Sequence, residues 1–576
     1  MKKVIFPLAS LTLMMTLASC GGSPATSSTP AASSSQEATT SSAEASSSKE
    51  ENPYADYKTL KDFERGGSTY TDSKGQEVPL TRHTLEANAG SPCLPSLGEQ
   101  RILVVPLGLD DDTITSPAYP SIVASGRTDM QTEERLEQIE NIFFGEADGK
   151  GWQSLKSFYE TSSFGNLTIT GQVMKQDGGW YRPGKKPKDY SSTQALNDIK
   201  TFYTTEYSKE NHGALGEDAH EWTWFDQDKD GYIDTIWIVY SAPIHAYEPS
   251  ATSSNYWAYV SRTNKTASKA SPNPMCYAWA SIDFMDQGGY EEGTDFHTFI
   301  HETGHIFGID DYYSYDDTEA PLGGIDLMDH NIGDHNAFSK WQYGWSQPYV
   351  VDDSAYIEME PTTTSGDSVI IPAPDWNGTC YDEYMLIEFI SPVGLCSEYK
   401  GGYSNTTGYT KPGLRITHVD GRAYKSKNTE ILSTPEEVAT ATTMRVMNTP
   451  SGRGYPQWKD TFTNKETGTD RSMYMINIMQ ASGFSKDNNL LVMSGTSTNN
   501  DLYTKGFTFD LTPYYDSSLK ADFNDWYYLM PSYSNLWNKA QDPLTREVDE
   551  TCTFNYTVEV LDVTKEKVKF VIEKLD

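Results

Sequence analysis

His301-Glu302-Thr303-Gly304-His305-Ile306-Phe307-Gly308-Ile309-Asp310-Asp311 is the stretch on which the fold turns. Two histidines four residues apart share a face only if the chain is helical, because side chains at i and i+4 stack one turn apart. On that face both imidazoles can reach one metal ion, so HExxH is a zinc-ligand spacing. Glu302, beside the first histidine, is placed to take a proton from water rather than to bind metal. Phe296, Ile300 and Phe307 supply an apolar stripe, and Thr294 can serve as N-cap. HExxH alone is a modest signal, so the residues after His305 decide. They complete HExxHxxGxxD. Gly308 can take a left-handed conformation, end the helix and turn the chain back so that Asp311 reaches the third coordination position. A carboxylate is an acceptable third zinc ligand.

Other ligand sets fit less well. The alternative layout of HExxH proteins needs a glutamate from a later helix, yet only Glu319 lies between His305 and Glu358, in the loop-like run DDTEAPLGG. Five of the ten histidines fall between residues 297 and 335, which makes His297, His330 and His335 rival ligands. His297 shares the helical face but sits one turn too early.

The run HETGHIFGIDDYY, followed by Asp326-Leu327-Met328-Asp329, resembles the immune inhibitor A family of bacterial metallopeptidases, which are metzincins. The segments YETSSFGNLTITGQV (159–173) and GLRITHVD (413–420) extend the resemblance over most of the chain. It implies an α/β metzincin-like catalytic domain, a twisted mixed sheet plus the active-site helix, followed by a β-rich C-terminal domain. It implies further that Met328 is the Met-turn methionine, packed beneath the zinc histidines. The expected activity is that of a zinc-dependent endopeptidase acting on extracellular proteins, with zinc activating a water and Glu302 as general base. Family members often carry proline where this chain has Asp310, and spacing favours Asp311 over Asp310 as ligand. Tyr312, Tyr313 and Tyr315 are candidates to assist the oxyanion. The competing class is a catalytically silent surface adhesin or binding protein on the same fold, against which an intact Glu302 argues.

The surrounding sequence gives an α/β order on its own terms. Arg101–Leu109 is a buried-strand run, Glu133–Phe144 places Leu136, Ile139, Ile142 and Phe143 on one helical face, and Ser154–Ser162 reads as a second helix. Leu167–Val173 alternates as a strand, and Thr235–Tyr240 (TIWIVY) is a buried strand of β-branched and aromatic residues. Beyond residue 350 short strands alternate with Gly, Asn, Asp and Pro, ending in Phe554–Leu561 and Lys567–Ile572. We therefore expect a metallopeptidase domain at 98–350 and a β-rich domain at 351–576. His418 and Glu388, in the latter, read as strand residues with structural hydrogen bonds.

A second constellation precedes TIWIVY. Asp226, Asp228, Asp230, the Tyr232 carbonyl and Asp234, with Gly231 at position six, present oxygens to a hard cation, and calcium is the expected occupant. Trp237 replaces the glutamate of position twelve, so the loop is not a full EF-hand. The ion would stabilise the fold rather than act in hydrolysis.

At the start, Lys2 and Lys3 precede the apolar stretch Val4–Leu17, the pattern of an export signal. Leu17-Ala18-Ser19-Cys20 resembles the bacterial lipobox, so residues 1–19 read as a lipoprotein signal peptide and Cys20 as the acylated anchor of an extracytoplasmic protein. Residues 20–52, rich in Ser, Thr and Ala, cannot bury enough apolar surface to fold and read as a tether. Residues 53–97 read as a leader or propeptide-like segment. Within it Cys93 could reach forward as a thiolate and block the zinc site, although the fuller motif of such switches is absent and an inert or disulfide-bonded cysteine is the favoured reading. After Cys20, five cysteines remain, an odd count without CxxC spacing; Cys380 and Cys396 are the only close pair. A formal charge of −36 excludes nucleic acid as the main partner and leaves the membrane to the lipid anchor, with proteins or peptides as substrates.

Overall fold

The structure, a computed structural model, describes residues 53–575 apart from 91–92, 115–128, 148–153, 208–212, 247–255, 287–293, 316–319, 331, 374–375, 398–407, 426–429, 445–447, 450, 451–460, 464–469, 473, 482–496 and 510–554. The export signal, Cys20, the tether and Cys552 lie outside the described residues. Among the described residues no helix is long and apolar enough to cross a membrane.

After a short hairpin of Thr69–Thr71 and Glu77–Pro79 come α1 (Arg82–Asn88), β1 (Gly98–Leu107), α2 (Glu133–Phe144), α3 (Leu155–Ser162), β2 (Leu167–Val173) and α4 (Ser192–Glu206). Thr132 and Ser154 start α2 and α3 by accepting the N–H groups of Arg135 and Ser157, which satisfies donors that a helix leaves free in its first turn. Leu136, Ile139, Ile142 and Phe143 of α2 are buried, the face that the spacing predicts. There follow β3 (Ile236–Tyr240), β4 (Tyr259–Arg262), β5 (Cys276–Ser281) and α5 (His297–Ile306). The strands form one sheet in the order β2-β1-β3-β5-β4. β1, β2, β3 and β5 run parallel, and β4 lies antiparallel on β5 at one edge. All five residues of β3 are buried, as a central strand covered on both faces requires. α5 packs beside β4 and β5, with Phe299 against Phe143 and Trp237.

Helices α6 (Leu327–His330) and α7 (Ala337–Gln342) lead to the β-rich part: β6 (Tyr349–Val350), β7 (Ala355–Met359), β8 (Val369–Pro372), β9 (Glu383–Ile390), β10 (Gly413–Asp420), β11 (Ile476–Met479), β12 (Thr508–Phe509), β13 (Tyr556–Val563) and β14 (Val568–Lys574). The two larger sheets of this part have the orders β6-β8-β9-β10-β11 and β7-β14-β13-β12, antiparallel except between β6 and β8, and two smaller antiparallel sheets lie between residues 423 and 472. The molecule is thus mixed α/β with several sheets, an α/β arrangement followed by a β-rich one. Tyr57 to Asp576 form one compact unit. A single buried core includes Leu85, Phe299, Met328, Tyr384, Val419 and Ile476, so apolar packing continues across residue 350.

The N-terminal stretch belongs to that core. Leu80, Leu85 and Leu94 are buried within it, and the indole N–H groups of Trp341 and Trp345 donate to the carbonyls of Gly67 and Ser96.

Candidate metal centre

α5 starts later than Thr294 would have it. Its first residue is His297, whose N–H donates to Asp295 Oδ1 at 3.0 Å, so the nearby carboxylate satisfies the first turn in place of a hydroxyl cap. The same Asp295 oxygen lies 2.9 Å from His297 Nδ1, which engages His297 away from the other histidines.

His301 and His305 project from one face with their rings nearly perpendicular, at 86° and 4.7 Å between centroids. Each is oriented from behind. His301 Nδ1 lies 2.8 Å from the Leu327 carbonyl and His305 Nδ1 lies 2.7 Å from the Ile309 carbonyl. A carbonyl accepts, so in the neutral rings the proton sits on Nδ1 and the lone pair of Nε2 faces the site. Asp311 completes the arrangement: its Oδ1 lies 2.9 Å from His301 Nε2 and 3.4 Å from His305 Nε2. That oxygen is buried between the two ring nitrogens. With both rings neutral and their protons on Nδ1, neither Nε2 donates to that oxygen, and two imidazole lone pairs with one carboxylate form a donor set that a metal ion fits. The His301, Glu302 and His305 side chains together form a group able to hold a metal.

His305 and Asp311 stabilise each other's charged forms. Burial disfavours charge on both His305 and Asp311, yet their attraction outweighs it, raising the His305 pKa to about 10 and holding the Asp311 carboxyl well below the usual range. Glu302, 8% exposed, is shifted upward by burial, opposed in part by His305 and His301. A carboxylate whose proton affinity is raised in this way is better suited to accept and return a proton.

The turn below is built by Gly308, at φ +100°, which lets the chain leave α5 and bring Asp311 back. Asn448 clamps the far side of this turn, its N–H donating to the Asp311 carbonyl and its side-chain amide to the carbonyls of Tyr312 and Ile476. Met328 is fully buried beneath α5, its sulfur 2.6 Å from where a Cβ on Gly304 would stand. The Met328 N–H donates to Asp326 Oδ1, and Asp326 is held in turn by Asn336. Arg415 of β10 donates to the Ile325 carbonyl and pairs with Glu388 of β9, whose other oxygen accepts the Ala337 N–H. Glu388 is thus structural, and His418 pairs with Glu383 inside the sheet.

The tyrosines separate. Tyr312 is buried with its hydroxyl 2.7 Å from Ser339 Oγ, and Tyr315 is 40% exposed. Tyr313 is half-buried and close enough to the metal centre that burial, then Asp311 and Glu302, raise its pKa. His330 pairs with Asp329. His335 is enclosed by Phe158, Tyr159, Tyr343 and Trp345, outside the donor group. Asp310 likewise stays out of it.

Cys93 is buried behind α5, its thiol 3.4 Å from the Phe307 carbonyl, and burial pushes its pKa upward. A protonated thiol in that place is not a metal-blocking thiolate. Cys276 and Cys380 are also buried and free, and Cys396 is buried.

In the acidic loop, Asp226, Asp228 and Asp234 bring carboxylate oxygens within 4.8 Å of one another. Asp226 Oδ2 accepts the Gly231 N–H, whereas its Oδ1 is buried without a partner. Asp230 accepts the Tyr232 N–H and stands outside this group.

Compared with models of known protein families and with curated proteins, the chain matches none.

Proposed function

We propose that the chain is a zinc-dependent endopeptidase. The observation that carries this reading is the convergence of His301 Nε2, His305 Nε2 and Asp311 Oδ1 beside the buried Glu302. Zinc suits two imidazoles and a carboxylate, and when bound it supplies Lewis acidity toward a carbonyl oxygen and lowers the pKa of a water. Glu302 takes the proton of the attacking water and returns it to the leaving amine, a transfer its raised pKa favours. Tyr313, the one tyrosine of the three beside Asp311 and Glu302, donates to the developing oxyanion. The edge of β4, unpaired among the described residues and packed beside α5, offers backbone groups to an extended peptide. The resemblance of residues 301–313 and 326–329 to immune inhibitor A metallopeptidases, and a sheet whose only antiparallel member is that edge strand, support the metzincin reading.

The acidic loop, in the same proposal, holds calcium through Asp226, Asp228 and Asp234, and the partnerless Asp226 Oδ1 supports it. Cys20 carries the lipid that keeps the enzyme at the cell surface, where extracellular proteins are its substrates.

Zinc analysis and digestion of a mixed protein pool, comparing wild type with Glu302→Ala, test the reading. Wild type cleaves and the variant keeps zinc without cleaving. Equal digestion with zinc retained in both removes Glu302 and the peptidase reading, and no digestion by either protein, zinc bound, favours a silent binding protein.

A further inference from the structure

We infer that residues 80–90 and 93–97 are a permanent part of the working molecule, a brace for the metal-binding helix, and that Arg82 is a positioning residue for Asp311. The second half of this statement rests on the metal-centre reading above; the first does not.

A helix leaves its last carbonyls without intrahelical partners. At the end of α5 three consecutive carbonyls are met by this one segment: Ile306 by the Leu94 N–H at 3.0 Å, Phe307 by the Cys93 thiol at 3.4 Å, and Gly308 by Arg82 Nε at 2.9 Å. Packing is as close as the hydrogen bonding. A Cβ on Gly308 would stand 2.7 Å from Arg82 Cγ and 3.0 Å from Cys93 Sγ, so the segment fills the space that a side chain at 308 would need. Arg82 is fully buried and pairs with the equally buried Glu86 at 3.0 Å. Ser96 joins the same support, its hydroxyl donating to the Tyr343 carbonyl while the Tyr343 hydroxyl donates to the Gly304 carbonyl inside α5.

A detachable propeptide covers the open side of a site. This segment instead lies behind it, on the carbonyl end of the helix, and removing it would leave those carbonyls without partners. Gly308 is three residues ahead of Asp311, in a backbone conformation that only its missing Cβ allows, so the group that fixes the Gly308 carbonyl also fixes the path to the third ligand.

Two measurements test this on the full-length protein. In limited digestion by an added protease, the residues of the tether are cut and the protected fragment begins ahead of Arg82; a stable fragment that starts after residue 97 and keeps the parent unfolding midpoint overturns the brace. In the second, zinc is competed against a chromogenic chelator, with the unfolding midpoint of metal-free protein followed in parallel. Arg82→Met weakens zinc binding by about tenfold to a hundredfold, the range for lost outer-shell support, while Arg65→Met, upstream of the segment and paired with Asp367, leaves it unchanged. Arg82→Lys, which keeps the charge and the aliphatic stem, decides if the methionine variant does not fold. Unchanged zinc affinity in a folded Arg82 variant overturns the positioning role. A wild type that binds no zinc overturns the metal reading and that role with it, and leaves the digestion result standing.

Discussion

Met328 Sδ occupies the place a side chain at residue 304 would take, 2.6 Å from the Cβ position on Gly304, with Met328 Cε at 3.1 Å and His335 Cε1 at 3.5 Å. The glycine between His301 and His305 is therefore there for the methionine below it. Gly304→Ala would gain helix propensity on a surface helix, but here it overpacks a filled site, and we expect a net loss of about 1–3 kcal/mol in chemical denaturation. Because the two positions touch, Gly304→Ala combined with Met328→Ala is expected to cost less than the sum of the single changes. Strict additivity would show that the methionine does not govern position 304.

Asp311 and Asp310 are adjacent, yet only Asp311 aims an oxygen at both Nε2 atoms. Asp311→Ala is expected to weaken zinc binding by more than the about 10–100-fold of an outer-shell change, and Asp310→Asn to leave zinc affinity within a few-fold of wild type. Zinc competition measures both, and the reverse ranking would move the third ligand to Asp310.

Tyr313 is expected to act on the transition state rather than on substrate binding. Tyr313→Phe should lower kcat by about 10²-fold with KM and zinc content nearly constant, while Tyr312→Phe, which frees Ser339, should alter stability instead. A large rise in KM for Tyr313→Phe with kcat intact would make the residue a substrate contact.

Much of the site is legible in the chain because it is local. Histidine spacing on a helix, a glycine at the turn and an aspartate three residues later are fixed by short-range geometry, and α2, α3 and β2 start and stop at or near the residues where caps and alternation put them. What is not legible depends on partners far away in sequence. Arg82 reaches Gly308 from 226 residues upstream, Arg415 reaches Ile325 from 90 downstream, and no periodicity links them. The start of α5 misled for a related reason: Thr294 has the residue type of a cap, but Asp295 is the one whose oxygen meets a free N–H. The three tyrosines after Asp311 look alike in sequence and differ only in what the fold puts next to each.

The lipid anchor can be checked independently of the fold. Cys20→Ser is expected to release the protein from the membrane fraction or to block processing of the signal, seen by fractionation and intact mass. A variant processed normally and still membrane-bound would require a different anchor.

The acidic loop predicts a linked dependence on pH and calcium. Burial, then the charges of Asp228, Asp226 and Asp230, raise the Asp234 pKa to about 8, while the Gln227 N–H opposes the shift. Between its unfolded value, about 3.9, and 8, the folded protein holds a proton that the unfolded chain has released. Folded protein binding more protons means that stability falls as pH rises through this window and levels off above it. A calcium ion bound by the ionised loop reverses that trend, because a ligand taken up only by the native state stabilises it by mass action and competes with the proton. We expect the calcium-induced rise in unfolding midpoint to be small near pH 5 and to grow toward pH 8. Asp228→Ala, a substitution at an exposed ligand, should flatten the calcium response at every pH and spare zinc content. Other buried carboxyls raised to about 7, Asp326 and Asp382, add to the pH trend but not to its calcium-dependent part, so the difference between calcium and chelator isolates the loop. A midpoint indifferent to calcium at pH 8, measured at a chelator level that leaves zinc in place, would show that the loop binds no ion.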